Sequence, residues 1–350
     1  MNAVLMLTNV AGSDIINMNI SGKERKTAPM IIENVKNDLS ALCAVYHTVN
    51  RADGLPYSTL GEEEFARIFG RDGRVTFSAV EDGRVVGFIS GQRPNHAGVA
   101  YLTYLGVLPE ARGAGVGGEL LAAFEAQLCS LGASRCDIVF YDPAHLPWII
   151  PGSVHGHPCA PGIMTSSPAD RFLTARGYAE WCAQISYYGA LDGYRESEAV
   201  LARRASLAGE GIEITLYDPA RHHGLYDLFD AIRNPGWRVT VFAHLDQPIV
   251  VAVDTAAGGL VVGYTGPLAQ VREGGGIRGS FCGIGTHPDY RGRGIGKQLF
   301  SRMCALHAGA GAEFMSLYTG ETNPARRVYE AAGCRGVVRW SNLRKVFENA

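Results

Sequence analysis

At 350 residues the chain is long for one domain and suits two of about 150–175 residues each. With 47% hydrophobic and 19% charged residues it has ordinary globular composition, and a net charge of −2 excludes a nucleic-acid footprint spread over its surface. No run of eighteen apolar residues occurs, which excludes a membrane-spanning helix, and the eight cysteines form no C-x-x-C pair, a pattern expected of reduced, buried thiols in a cytoplasmic protein.

Residues 1–29 mix Asn, Ser, Gly and Lys without a clear period and read as a loose tail, and the apolar run 3–7 is too short for a signal segment. From Met30 a first domain, 30–192, begins with a short strand and a helical run to about Arg51, then a short helix over 62–69. VTFSAVEDGRVVGFISG is a hairpin turning at Asp82-Gly83. Strand AYLTYLGVL, a glycine turn, helix GELLAAFEAQLCSLG and strand CDIVFY follow. A stretch rich in Pro, Gly and His, 142–166, precedes SPADRFLTARGY and a last strand, EWCAQISYYGAL. The apolar pattern lapses near 192–211. A second domain, 212–350, then replays the order: strand, helix over RHHGLYDLFDAIR, hairpin, strand GSFCGIGTHP, glycine turn, helix, strand, helix, strand.

Subtraction makes the repeat explicit. Pro288 and Pro109, Arg291 and Arg112, and Gly296 and Gly117 all stand 179 apart. At the last helix, Gly333 and Gly177 stand 156 apart. The offset falls by 23, so the first half carries that many extra residues, which lie within 142–166. A repeat of this length is a duplicated domain.

Each copy has a turn of one chemical kind: CGIGTHPDYRGRGIGKQL at 282–299 and GVLPEARGAGVG at 106–117. A glycine turn that opens a helix leaves backbone N–H groups unpaired and pointing one way, beside the positive end of the helix dipole. That is a cradle for phosphate. The spacing, R-x-x-G-x-G, resembles the pyrophosphate loop of the GCN5-related N-acetyltransferases (GNAT), and the resemblance covers about 30–190 and 212–348. It implies a mixed α/β fold of two tandem GNAT domains, each a splayed mixed sheet flanked by helices. It also implies acetyl-CoA, another acyl-CoA or an acyl-phosphopantetheine as co-substrate, and no metal. The pantetheine arm would run along Ile284, Gly285 and Thr286. The pyrophosphate would sit on Gly292, Gly294, Ile295 and Gly296, with Arg291, Arg293 and Lys297 beside it. In the first half, Arg112, Gly113, Gly115 and Gly117 would do the same.

NPARRVYEAAG at 323–333 resembles the family's N-x-x-A-x-x-x-Y-x-x-x-G helix. The resemblance makes Asn323 a contact of the pantetheine arm and Tyr329 the acid that protonates the departing thiolate. Aligning Pro168 with Pro324 puts Ser167 at the Asn position and Leu173 at the Tyr position, so the first half lacks the acid and the second is expected to be the active one. Many family members carry a Glu on the strand before the turn, but 279–284 contains no acid. Glu321, His287 or a water chain are the substitutes, with Glu321 expected as the catalytic partner of Tyr329.

His155, His157 and Cys159 in the inserted stretch lack the fixed geometry of a metal site, and the stretch is expected to touch the acceptor or the other half. The expected activity is acyl transfer to an amine of a small molecule by direct attack, the donor being acyl-CoA or an acyl carrier protein. A CoA-binding regulator without turnover is the contrasting reading. The chain, an internal pseudo-dimer, is expected to be a monomer with no nucleic-acid or membrane partner.

Overall fold

The computed structural model describes residues 31–34, 38–273 and 275–348, so the expected tail at 1–29 lies outside the described residues. The first half begins with β1 (Ile31–Asn34), α1 (Leu39–Ala52), α2 (Glu62–Phe69), β2 (Arg74–Glu81), β3 (Arg84–Gln92) and β4 (Val99–Val107). It continues with α3 (Val116–Ser130), β5 (Arg135–Ile138), the short strands β6 (Trp148–Ile149), β7 (Gly156–His157) and β8 (Ile163–Met164), then α4 (Pro168–Thr174) and β9 (Ala179–Ala190). Where the sequence shows only a polar boundary, a helix joins the halves: α5 (Glu198–Gly209), capped by the Ser197 hydroxyl, with Leu207 its one fully buried side chain. One apolar anchor in twelve residues leaves no periodic stripe to read.

The second half holds β10 (Ile212–Leu216), α6 (Leu225–Ala231), α7 (Pro235–Phe242), β11 (Val250–Asp254), β12 (Leu260–Glu273) and β13 (Gly276–Thr286). After these come α8 (Ile295–Gly309), β14 (Phe314–Gly320), α9 (Arg326–Ala331) and β15 (Arg335–Val346). The helix expected from His222 starts instead at Leu225, after Gly224 at φ +76°. His222 is buried, and its ring accepts from the Asp218 N–H at 3.0 Å.

The long strands make one mixed sheet in the order β1-β2-β3-β4-β5-β15-β9-β14-β13-β12-β11-β10. Each half's last strand has crossed over. β15 pairs with β5 of the first half (Leu343 opposite Ile138), and β9 pairs with β14 of the second (Tyr187 opposite Leu317). The two exchanged strands also pair with each other at the centre. Buried polar groups fix this seam. Trp340 donates to the Ser186 hydroxyl at 2.9 Å, and the fully buried Asn342 amide donates to the Pro161 carbonyl at 2.6 Å. The Arg344 guanidinium grips buried Asp137 through two bonds of 2.7 and 2.8 Å. The boundary at 192–212 is therefore one of chain connectivity, while the sheet runs through it.

The inserted stretch belongs to this seam. Buried Trp148 meets Trp340 edge-on at 5.1 Å, His155 stacks on Phe314 of β14 at 4.0 Å, and Ser316 donates to the Gly156 carbonyl. Of the two expected contacts, the structure shows the one with the other half.

Two features position the site. First, the parallel strand pairs splay: β4 and β5 pair only at Val99–Tyr101, and β13 and β14 only at Arg278 with Phe314 and Gly279 with Met315. Second, helices cover both faces of the sheet. Gly263, opposite Thr286, faces Leu299 and Ile295 of α8, whereas Gly285 faces Ile232 at the end of α6.

Candidate functional site

The second glycine turn begins where β13 ends. Gly292 (φ +79°) and Gly294 (φ +83°) adopt left-handed backbone that side chains disfavour, and Gly294 hands the chain directly to α8. A Cβ at Gly292 would meet nothing within 4 Å, so the space beside the turn is open. Tyr290 braces the turn by donating to Asp254 at 2.7 Å. Ile295 is buried in the core beneath it, Gly296 abuts Val328 of α9, and Lys297 is exposed. Arg291 is exposed and folds back, its Nε donating to the Thr286 carbonyl at 3.2 Å.

Ile284, Gly285 and Thr286 pair with Thr265, Tyr264 and Gly263 of β12. Beyond Gly279 the opposite edge of β13 has no strand partner among the described residues, so it faces the splay. Over this strand sits Trp237 of α7, whose ring lies 2.6 Å from where a Gly283 Cβ would be. Glycine there is the only residue that admits the indole.

Across the splay, Asn323 accepts from the Ala325 N–H at 2.9 Å and donates to the Thr319 hydroxyl at 3.0 Å. Thr319, on β14, also lies by the Tyr329 hydroxyl and acts to lower its pKa. The two motif residues thus share a threonine neighbour that no sequence pattern marks. Tyr329 is buried at 6% exposure, its ring against Phe300 at 4.9 Å and Tyr187 at 5.6 Å. Burial pushes its phenol up to about 12, with nearby Thr319 pulling the other way, so the hydroxyl stays protonated at neutral pH. Tyr187 is a second addition. It comes from β9 of the first half, donates to Glu330 at 2.9 Å and accepts from Arg326 at 2.7 Å. No sequence signal marks it, because its place depends on the strand exchange.

Glu321 does not stand free at this site. Arg339 of β15 holds both its oxygens, at 3.0 and 2.9 Å, while also gripping Glu180, and this pairing keeps the Glu321 carboxyl below the usual carboxylate range. A carboxylate so paired is a poor proton acceptor, so its geometry is that of an anchor for β15. His287 accepts from the Asp289 N–H at 3.3 Å, an ordinary cap of the turn.

The first half repeats the turn and omits the acid. Gly113 (φ +79°) and Gly115 (φ +90°) match Gly292 and Gly294, and Gly117 abuts Phe172 as Gly296 abuts Val328. A cavity of about 510 Å³ opens here, lined among others by Val49, Leu105, Gly115, Phe172 and Arg176. Arg112 gives its Nε to the Val107 carbonyl, as Arg291 does to Thr286, but its other nitrogens make a bidentate pair with Asp53 at 2.7 and 3.0 Å. Ser167 only caps α4, accepting from the Asp170 N–H, and Leu173 is fully buried in the core. Among the described residues no three His, Cys, Asp or Glu side chains are grouped to hold a metal ion.

Twice, then, a splayed strand pair runs into a glycine turn that opens a helix, which is the layout of a duplicated acyl-transfer fold. The sequence matches the acetyltransferase (GNAT) family over residues 42–145 and again over 216–334, and the chain belongs to that family as a tandem member. No curated protein matches it. Among solved structures it is similar to the GCN5-related glucosamine N-acetyltransferase region of a fungal multi-domain GH3 β-N-acetylglucosaminidase, with TM-score 0.65 and 18% identity over 92% of this chain. The match spans only 39% of that protein's chain. It is also similar to a GCN5-related N-acetyltransferase from Sphaerobacter thermophilus (TM-score 0.58, 19% identity, 91% of this chain and 97% of that one). A tandem GNAT protein of the clavulanic acid biosynthesis pathway matches at TM-score 0.53 and 17% identity, over 92% of this chain and all of that one. At these identities the structures speak for the fold, and family membership speaks for acyltransferase activity in general.

Proposed function

We propose that the protein moves an acyl group, acetyl first among them, from acyl-CoA to an amine of a small molecule, and that the second half is the active one. The observation that carries this reading is the grouping of Asn323, Thr319 and buried Tyr329 across the second splay, set against Ser167 and Leu173 in the first. Two features of the second cradle suit the donor: open space lies beside Gly292 in the turn, and the unpaired edge of β13 faces the splay. A bound thioester supplies an activated acyl carbon.

The chain's own groups do the rest. Backbone N–H groups of the turn hold the pyrophosphate, each charge-assisted bond contributing about 1.5–3 kcal/mol. Backbone N–H groups near Ile284 and Gly285 polarise the acyl carbonyl. Trp237 and the α6–α7 pair wall off the strand from solvent on one side. Tyr329 holds its proton at the Oη atom for the departing sulfur. With Glu321 committed to Arg339, the acceptor attacks as the free amine and its proton passes to water.

The first half is read as a CoA-binding copy without turnover, on the strength of its open cavity beside an intact glycine turn. A screen of small amines with detection of released thiol, on the intact protein and on variants of each turn, tests the whole reading. Thiol release that survives loss of the second turn and fails with loss of the first would reverse the assignment of halves.

A further inference from the structure

The helix that joins the halves reaches the second cradle. Arg203 of α5 donates from Nε (3.2 Å) and Nη2 (2.9 Å) to the Arg293 carbonyl, inside the glycine turn. Its Nη1 donates to Glu210 Oε1 at 2.6 Å, and Arg293 Nη2 donates to the other oxygen, Oε2, at 3.1 Å. Ser206 adds a bond to Oε1 at 3.1 Å. One carboxylate therefore bridges two guanidiniums beside a turn built to receive anions. All three charged side chains are about one-third exposed, at 37%, 38% and 33%, so dissolved anions can reach them. At the first turn the matching positions differ: a Cβ at Gly115 would meet only Glu119, at 4.0 Å, and Arg112 pairs with Asp53.

We infer that Arg203 and Arg293 form a phosphate-recognition site beside the second cradle, occupied by Glu210 in the free protein and taken over by a terminal phosphate of a nucleotide-bearing donor. The inference rests on the second cradle being a donor site. Charge decides which donors profit. Glu210 carries a single negative charge and is tethered one residue past the end of α5, so a singly charged phosphodiester gains nothing by displacing it. A phosphate monoester carries about −1.5 to −2 at neutral pH and offers three acceptor oxygens to two guanidinium forks. The 3′-phosphate of CoA is such a monoester, whereas a phosphopantetheine arm on a carrier protein presents only a diester. The site thus favours CoA over a carrier-bound donor.

Calorimetric titration of the full chain with CoA and with 3′-dephospho-CoA tests this, in wild type and with the first turn silenced by Gly115→Asp. Glu210→Gln removes the competing charge and leaves the bonds from Arg203 to the Arg293 carbonyl in place. It is expected to tighten CoA about threefold to tenfold and to change 3′-dephospho-CoA by less than about twofold. Arg203→Met is expected to weaken CoA by about tenfold or more and to narrow its advantage over the dephospho form, with Arg203→Lys intermediate. Equal losses on both ligands would mean that Arg203 merely props the turn, and an unchanged CoA affinity in Glu210→Gln would overturn the inference as well. Gly294→Asp separates this from the underlying reading: if it removes no CoA site, the donor assignment itself fails. If it removes one while the Arg203 and Glu210 variants are silent, only the present inference fails.

Discussion

Replacing Tyr329 by Phe removes one oxygen and keeps the ring between Phe300 and Tyr187. Thr319 keeps its bond from Asn323, so the stability cost should not exceed that of one net hydrogen bond, about 1 kcal/mol. The catalytic cost follows from the phenol's acidity. A group held at about 12 facing a thiolate whose conjugate acid lies near 8.5 would transfer its proton uphill by roughly 5 kcal/mol if transfer came first. On the proposed reading Tyr329 would act late, by hydrogen-bonding the sulfur as the carbon–sulfur bond breaks. The expected loss in kcat is accordingly about 10²-fold, the low end of the range for a general acid. KM for the donor should barely move, because the cradle is backbone. The assay is release of free thiol with a good amine acceptor, alongside thermal unfolding. Full activity in a folded Tyr329→Phe would refute the acid role. A loss confined to KM would show that the hydroxyl binds the donor without assisting its departure.

Gly294→Asp should abolish CoA binding in the second half, since it imposes a side chain at φ +83° and a negative charge at the cradle, while Gly115→Asp should cost one CoA site by calorimetry and spare turnover. Glu321→Gln should leave the acidic limb of the kcat/KM profile where it is if its pairing to Arg339 keeps it from serving as the base; a shifted limb would assign it that role. Its folded-state pKa lies below the unfolded value, so the pair stabilises the protein above about pH 4.3 and ceases to as pH falls through the depressed value. The Tm difference between Glu321→Gln and wild type should therefore shrink on acidification. Trp148→Ala should cost about 3–5 kcal/mol, as expected for emptying a buried indole site against Trp340, and should lower Tm without a selective change in acceptor KM.

Much of this molecule is written in local pattern. The alternation in VTFSAVEDGRVVGFISG and the Asp82-Gly83 turn give β2 and β3, with both turn residues at positive φ. The equal 179-residue spacing of the two glycine turns follows from their doing the same backbone job, and Gly292 and Gly294 repeat the angles of Gly113 and Gly115. What escaped were matters of long-range pairing. A strand that reads GVVRWSNLRKVF buries the same faces whichever fifth strand it joins, so nothing in β15 announces that its partner is β5. Tyr187, Arg339 and the true surroundings of Glu321 were illegible for that reason. The α5 helix, with a single buried anchor, offered no period, and Arg203 and Glu210 hid among solvated charges until the fold brought them to the turn.

The strand exchange explains why a half without the acid is not a dispensable passenger. Remove β9 and the outer edge of β14 loses its ladder from Phe314 to Gly320, leaving backbone donors and acceptors beside the splay without partners. The same loss takes away Tyr187, and with it the ring that packs on Tyr329 and the hydroxyl shared by Arg326 and Glu330. At the equivalent place in the first half stands Leu343 of β15, fully buried and in one core with Leu173, so two aliphatic groups occupy there the positions that two tyrosines hold in the second splay. Apolar packing at one site and paired phenols at the other set the two splays apart: the first is a hydrophobic keystone, and the second holds two tyrosine rings. Because each half supplies the strand that completes the other, the stability of the keystone is passed through the central β15–β9 ladder to the tyrosines. The geometry of Tyr329 is in this way set partly by residues more than a hundred positions away in sequence, on the half that carries Leu173 where the other carries Tyr329.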